Sequence, residues 1–192
     1  MVQFGLKKIG SFANSKSDYD KNFLKSHKIY KEIGFPPSYI DFVMEFGWGR
    51  LCGLFLVYVP LLDNKFPDSW EVQSKKYKGW MDDFYGAEGK VYDFLFEPDG
   101  TAELVKNAVP FAMSENGDYL IWDVENPDER GECPIYGITP RFSGIIYYGR
   151  DLFEAISYIT DKYYGNDAPT DFEVAKTFEP FIFSDETGYY EK

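Results

Sequence analysis

Gly34-Phe-Pro-Pro-Ser-Tyr-Ile-Asp-Phe-Val-Met-Glu-Phe-Gly-Trp-Gly49 is the stretch whose reading decides the fold. Pro36 and Pro37 fix their own φ and push the residue before each towards extended backbone, so no helix runs through them. Ser38 is the expected N-cap, accepting a backbone N–H from the first turn of the helix that follows. Tyr39, Phe42, Val43 and Phe46 then fall at i, i+3, i+4 and i+7, which is one face of a helix. Gly47 and Gly49 bracket Trp48 and supply the backbone freedom needed to leave it. None of these side chains is a catalyst. They describe a short, cleanly bounded helix that needs a core to lie against.

Downstream, Leu51-Cys-Gly-Leu-Phe-Leu-Val-Tyr-Val-Pro60 is continuous, apolar and β-rich, and reads as one central strand ending at Pro60. An irregular helix is expected around 69–77, with a loop or helical turn over 80–86. Residues 91–96 read as a second strand, closed by the turn signal Pro98-Asp-Gly100. Asn116-Gly117 lies between the apolar runs 109–113 and 119–124, and tolerates the positive φ of a hairpin turn. Strands are expected over 133–138 and 144–148. Asp151 then caps a helix to Tyr164 with Leu152, Phe153, Ile156 and Ile159 inward, and Gly165 closes it.

Upstream, residues 1–16 carry only the scattered apolar sites Phe4, Leu6 and Ile9, an expected arm or short strand. Ser17 is the expected cap of a helix running to about Ile33. His27 falls in that helix among lysines and reads as a solvated surface residue. Phe178, Phe181 and Phe183 of the acidic 166–192 tail are available to fold back on the body. Helices, then clustered strands, then a helix give an α+β class: N-terminal helices, a central mainly antiparallel β-sheet, and a C-terminal helix against it. The whole chain, 1–192, is read as a single domain.

Aromatic residues make up 20% of the chain, mostly 18 Phe and 16 Tyr, so there is ample apolar surface for a core. The net charge is −12. Residues 1–50 hold eight Lys/Arg against five Asp/Glu, and the remainder twelve against twenty-seven. Such a surface repels nucleic acid and anionic lipid, and suits either simple solubility or a basic protein partner. One histidine, His27, excludes multi-histidine metal sites. Cys52 and Cys133 form no CxxC pair and leave both thiol and disulfide states open, with Cys52 read as a buried small hydrophobe. No P-loop, GxGxxG or GxSxG occurs, and Asp93, Glu97 and Asp99 do not match an EF-hand. No cofactor or metal is expected. Neither a signal-peptide core nor a span of transmembrane length is seen, so a cytoplasmic protein is expected.

Several words of the sequence, in order, resemble the SUKH superfamily, in its bacterial branch related to a fungal cell-wall-synthesis regulator. They are Gly34-Phe-Pro-Pro-Ser-Tyr-Ile-Asp-Phe-Val43, Gly47-Trp-Gly49, Pro110-Phe-Ala112 and Gly117-Asp-Tyr-Leu-Ile-Trp-Asp123, followed by the strand and helix over 145–159. On this resemblance Pro37, Tyr39, Phe42, Phe46, Gly47, Gly49, Gly117 and Asp118 are structural motif positions. The likeness covers about 18–160. Phe35, where the family usually has leucine, and Trp48 in the turn depart from its pattern. The resemblance implies a non-enzymatic immunity protein that binds and neutralises a cognate polymorphic or contact-dependent toxin domain. A nuclease toxin would fit, since an acidic surface can fill its basic groove.

Two acidic clusters are the candidate partner surface. The first holds Asp82, Asp83, Glu88, Asp93, Glu97, Asp99 and Glu103 against Lys90. The second holds Glu115, Asp118, Asp123, Glu125, Asp128, Glu129 and Glu132 against Arg130. Trp80, Phe84, Tyr85, Tyr119 and Trp122 lie near in sequence as candidate aromatic anchors. The partner-binding set is therefore Asp82, Asp83, Glu88, Asp123, Glu125, Asp128, Glu129, Glu132, Trp80 and Tyr85. The plainer readings are solvated loops for the acids and core for the aromatics. Two rivals share the sequence: a carboxylate-pair hydrolase using Asp82-Asp83 or Asp118 with Asp123, and a scaffold or regulatory module for an endogenous protein.

Overall fold

The computed structural model describes residues 4–11, 13, 19–88, 96–140, 143–165 and 175–182, with the backbone alone for 84–88. In chain order the elements are β1 (Lys7–Lys8), α1 (Lys21–Ser26), β2 (Lys28–Tyr30), β3 (Ile33–Gly34), α2 (Pro37–Phe46), β4 (Gly49–Leu51) and β5 (Phe55–Val57). They continue with α3 (Trp70–Glu88), α4 (Ala102–Asn107), β6 (Val109–Ser114), β7 (Tyr119–Trp122), β8 (Ile135–Ile138), β9 (Ile145–Gly149), α5 (Leu152–Tyr164) and β10 (Thr177–Pro180). Eight strands form one sheet in the order β1-β10-β4-β5-β6-β7-β8-β9, and β2 pairs with β3 alone. Among the described strands only β1–β10 is parallel within the large sheet. This is the α+β architecture expected, with α5 against the sheet.

Both faces of the sheet are covered, which strand alternation makes visible. On β7, Leu120 and Trp122 join one core cluster, while Ile121 joins the other with Tyr119 beside it. The first face carries α2 and α5. Tyr39, Phe42, Val43 and Phe46 are buried as the spacing predicts. Tyr39 meets Trp122 edge-on at 4.8 Å, and Trp122 stacks on Phe111 at 4.5 Å. Each such fully buried side chain contributes about 1.5–3 kcal/mol. On the second face Tyr77 and Met81 of α3 lie with Val105 of α4 over Ile121, Ile138 and Ile145. The Tyr77 hydroxyl donates to the Val105 carbonyl at 2.9 Å and ties α3 to α4.

Several local expectations are corrected. The N-terminal helix is six residues long and is capped by Asp20, whose carboxylate accepts from Asn22 N–H at 3.0 Å and Phe23 N–H at 2.9 Å. Ser17 lies outside the described residues. The chain turns extended at His27, and Ile29, Tyr30 and Ile33 belong to a small hairpin, with Lys31 at φ +47° in its turn. An apolar spacing that fits a helical stripe also fits this hairpin, and the Tyr30 hydroxyl, bonded to Glu125, holds it there. His27 is half-buried rather than solvated. Its ring stacks on Phe23 at 4.0 Å and meets Trp70 edge-on, and burial lowers its pKa.

The apolar run 51–60 is a hairpin, not one strand. Cys52 and Gly53 take φ of +50° and +63°, the type I′ pattern, and Leu54 N–H donates to Leu51 C=O. Residues 80–86 take the helical alternative and continue α3, and α4, capped by the Thr101 hydroxyl, was not foreseen. The Pro98-Asp-Gly100 turn forms, whereas the strand expected at 91–96 lies outside the described residues except for buried Phe96. The Asn116-Gly117 hairpin forms with Gly117 at φ +90°. Part of the tail folds back as β10, pairing with β4 and burying Phe178 against Phe42 and Phe46. Phe181 meets Trp48 edge-on, and Phe183 lies outside the described residues. Cys52 and Cys133 are both buried free thiols.

Candidate functional site

The two acidic clusters divide into carboxylates that face solvent and carboxylates used inside the fold. Glu132 and Asp123 leave the partner-facing set, at 6% and 7% exposure. Glu132 does what was expected of Ser38. Pro36 is the N-cap of α2 and offers no side-chain acceptor, so the Glu132 carboxylate takes the Ser38 N–H and the Ser38 hydroxyl, each at 2.7 Å. The Ser38 oxygen in turn accepts from Leu152 N–H at 3.1 Å. One carboxylate and one hydroxyl therefore join the N-termini of α2 and α5, where helix dipoles favour negative charge. Burial still pushes the Glu132 carboxyl above its ordinary range, against the two Ser38 hydrogen bonds. Asp123 closes the turn after β7, accepting from Glu125 N–H and the Asn126 amide.

Asp118, buried at the β6–β7 hairpin, anchors a second polar chain. Ser114 donates to Asp118 Oδ2 at 2.6 Å, and the same hydroxyl oxygen accepts the turn amides of Asn116 and Asp118. Tyr163 donates to Asp118 Oδ1 at 3.4 Å, Tyr148 lies 3.3 Å from Tyr163, and Lys162 Nζ reaches Tyr148 at 3.2 Å. The Lys162 ammonium also lies over the rings of Tyr148, Tyr158 and Tyr163, at 5.1–5.7 Å. Burial lowers its pKa, opposed by Asp118. The arrangement locks α5 to the sheet. Sequence reasoning missed Lys162, although Tyr158 and Lys162 stand four apart on one helix face.

The exposed members are scattered. Asp128 accepts from Arg130 and from the Glu132 N–H beside the α2–α5 junction, and Glu129 is exposed there. Glu115 pairs with Arg50 at 2.8 Å. Glu125 accepts from Tyr30 at 2.8 Å and Asn107 at 2.8 Å, with Lys31 at 3.5 Å. These bonds, from Tyr30 first, hold its carboxyl below the usual range. Asp99 receives the Tyr147 N–H. Asp82 and Asp83 stand exposed on α3 and form no ion pair with a described residue. Glu88 and Tyr85 belong to the same helix, but their side chains, like Phe84, lie outside what is described.

Trp80 is 39% exposed and stacks on half-buried Tyr119 at 5.8 Å, beside Tyr77. Of the five aromatic anchors proposed, Trp122 is core, and Trp80 with Tyr119 forms an aromatic ledge, with Asp83 one helical turn on from Trp80. On the other side of the Tyr77–Met81 ridge a cleft of about 280 Å³ opens between α3, β2 and the α4–β6 junction. Asp82 and Lys78 stand on its α3 wall and Tyr30 and Asn107 on the far wall. No group of His, Cys, Asp or Glu among the described residues is placed to hold a metal ion, and no helix there is long and apolar enough to cross a membrane. No protein-family model, curated protein or solved structure matches the chain.

Proposed function

We propose that this protein is a non-enzymatic immunity protein of SUKH type that binds a cognate toxin domain in the cytoplasm and blocks it. The observation that carries the reading is the α3 surface. There a partly exposed tryptophan is seated on a second aromatic ring, with exposed Asp83 one helical turn on and exposed Asp82 on the flank that faces the cleft, neither paired with a described cation. Aromatic anchors ringed by charge concentrate binding energy at interfaces. The order of the SUKH-like motifs and the net charge of −12 support the same reading. A basic nuclease groove is the chemistry this surface complements, with electrostatically steered capture.

Co-expression with the toxin domain encoded beside it tests the reading: growth should be rescued and the two should co-elute on size exclusion. Absence of both removes it. Turnover by the isolated protein would favour the hydrolase, and a stable complex in a strain lacking any toxin would favour the scaffold. Trp80→Ala should cost about 2 kcal/mol of affinity or more. Asp82→Lys with Asp83→Lys should slow capture and flatten its salt dependence. If capture is unchanged by all three, the α3 surface is not the interface.

A further inference from the structure

The cleft beside α3 differs in chemistry from the acidic exterior. Its lining includes the aromatic residues Trp70, Tyr77 and Tyr30, whose polar ends are all engaged elsewhere. Trp70 Nε1 donates to Pro110 C=O at 3.1 Å, Tyr77 donates to Val105 C=O, and Tyr30 donates to Glu125. Trp70 and Tyr77 are 5% and 2% exposed and form a fixed floor, and half-buried Tyr30 supplies the open ring. Ser74 lines the same wall, and its hydroxyl finds no partner among the described residues. Lys78 from α3 and Lys106 from α4 are the cations of the lining, against one acid, Asp82. The net charge of this lining is therefore opposite in sign to that of a chain at −12. Neither lysine has an ion pair with a described residue. The Tyr77–Val105 bond fixes the two helices that carry them, so the backbone positions of both lysines are set in advance.

We propose that this cleft binds a small planar organic anion, its ring against Tyr30 over the floor made by Trp70 and Tyr77 and its acidic group between Lys78 and Lys106. Small-molecule sites occupy roughly 300–1,000 Å³, apolar within and carrying a few placed polar groups. At about 280 Å³ the cleft suits one flat ring system with a short charged arm. A ring gains from burial and from stacking on fixed aromatics. The acidic group gains charge-assisted bonds from the two ammonium groups at the exposed rim. Asp82 opposes the anion and tunes its affinity. This inference does not rest on the toxin-binding reading, although Asp82 borders both surfaces.

The test is an amide chemical-shift titration of the full chain with indole-3-carboxylate, and with uncharged indole as the control. The carboxylate should bind saturably below about 1 mM and at least about tenfold more tightly than indole, the worth of one charge-assisted hydrogen bond. Shifts should centre on 74–82 and 106–110. Lys78→Met and Lys106→Met, both exposed changes, should each erase most of that preference, and Asp82→Asn should increase it. Ser74→Phe should fill the cleft and abolish binding of both probes. Equal affinity for the two probes, shifts on another surface, or lysine variants that bind like the parent would each overturn the proposal. If Ser74→Phe fails to fold, the two lysine variants decide it.

Discussion

Replacing Glu132 by alanine should be among the most destabilising changes on a polar residue of this protein. The structure shows what is lost: acceptors for the Ser38 N–H and the Ser38 hydroxyl, both at 2.7 Å, at a position 6% exposed. Loss of a helix N-cap costs about 1 kcal/mol. Leaving a buried donor unsatisfied adds about 1–3 kcal/mol. Ser38 can redirect its hydroxyl, but the backbone N–H cannot move, so Glu132→Ala should cost about 3 kcal/mol in all. Glu132→Gln retains one acceptor oxygen and should cost about 1 kcal/mol. Urea unfolding of the parent, Ser38→Ala, Glu132→Ala and the double variant makes a thermodynamic cycle. With Glu132 gone, removing the Ser38 hydroxyl should add only the loss of its bond from Leu152 N–H, so the double variant should fall short of additivity by about 1–2 kcal/mol. The pH dependence carries its own sign. Burial raises the folded pKa of Glu132 above its ordinary 4.5. The folded state then holds the proton more tightly, so this contribution is full below the unfolded value and is lost as pH rises through the folded one. The advantage of the parent over Glu132→Gln should therefore shrink as pH rises above the ordinary 4.5 and through the raised folded value. A Glu132→Ala cost below about 0.5 kcal/mol, or strict additivity with Ser38→Ala, would refute the capping role.

Three further outcomes follow from the packing. Gly49→Ala would place a Cβ 2.7 Å from the Phe178 ring, with the Glu179 carbonyl closer still, so β10 must shift away from β4. It should cost about 3 kcal/mol in thermal or urea unfolding, and a neutral result would contradict the β4–β10 pairing. Cys52 and Cys133 are buried and burial pushes both thiols up to about 12, so a thiol reagent at pH 8 should label neither in the native protein and both in denaturant. Because their folded values lie above the ordinary 9.0, stability should also fall as pH rises from 9 towards 12. Asp118→Ala leaves the buried Ser114 hydroxyl without its acceptor and should cost about 2 kcal/mol, with faster hydrogen exchange at the β6–β7 turn than in the parent.

The parts of the fold legible in the sequence are those set by near neighbours. The α2 face followed from apolar spacing, the hairpin at 116–117 from the backbone tolerance of Asn and Gly, and the α5 start from Asp151, which does accept from Phe153 and Glu154 N–H. Where one local pattern has two physical solutions, reading failed. The 28–34 segment fits a helix or a hairpin, and only its contact with Glu125 separates them. The run 51–60 looked like one strand because its apolar residues are continuous. The turn inside it shows in one signal, Gly53, and requires Cys52 to adopt a positive φ.

For the candidate site the division is sharper. Composition identified an acidic, aromatic-rich protein, and the sequence placed Trp80, Asp82 and Asp83 close together along the chain. It could not distinguish a carboxylate offered to solvent from one spent on the fold, because both look alike along the chain. Glu132 meets Ser38 across 94 residues, and Glu125 meets Tyr30 across 95. Likewise the cleft exists only where α3, β2 and α4 converge. Periodicity, caps and turns are written in spacings of a few residues, so the sequence alone determined the class of fold, the aromatic face of α2 and the sign of the surface charge. Which acids are buried, which lysines face an aromatic hollow and which strand receives the tail depend on how distant segments meet. Those pairings are decided by packing the whole chain, and only the tertiary structure decided them.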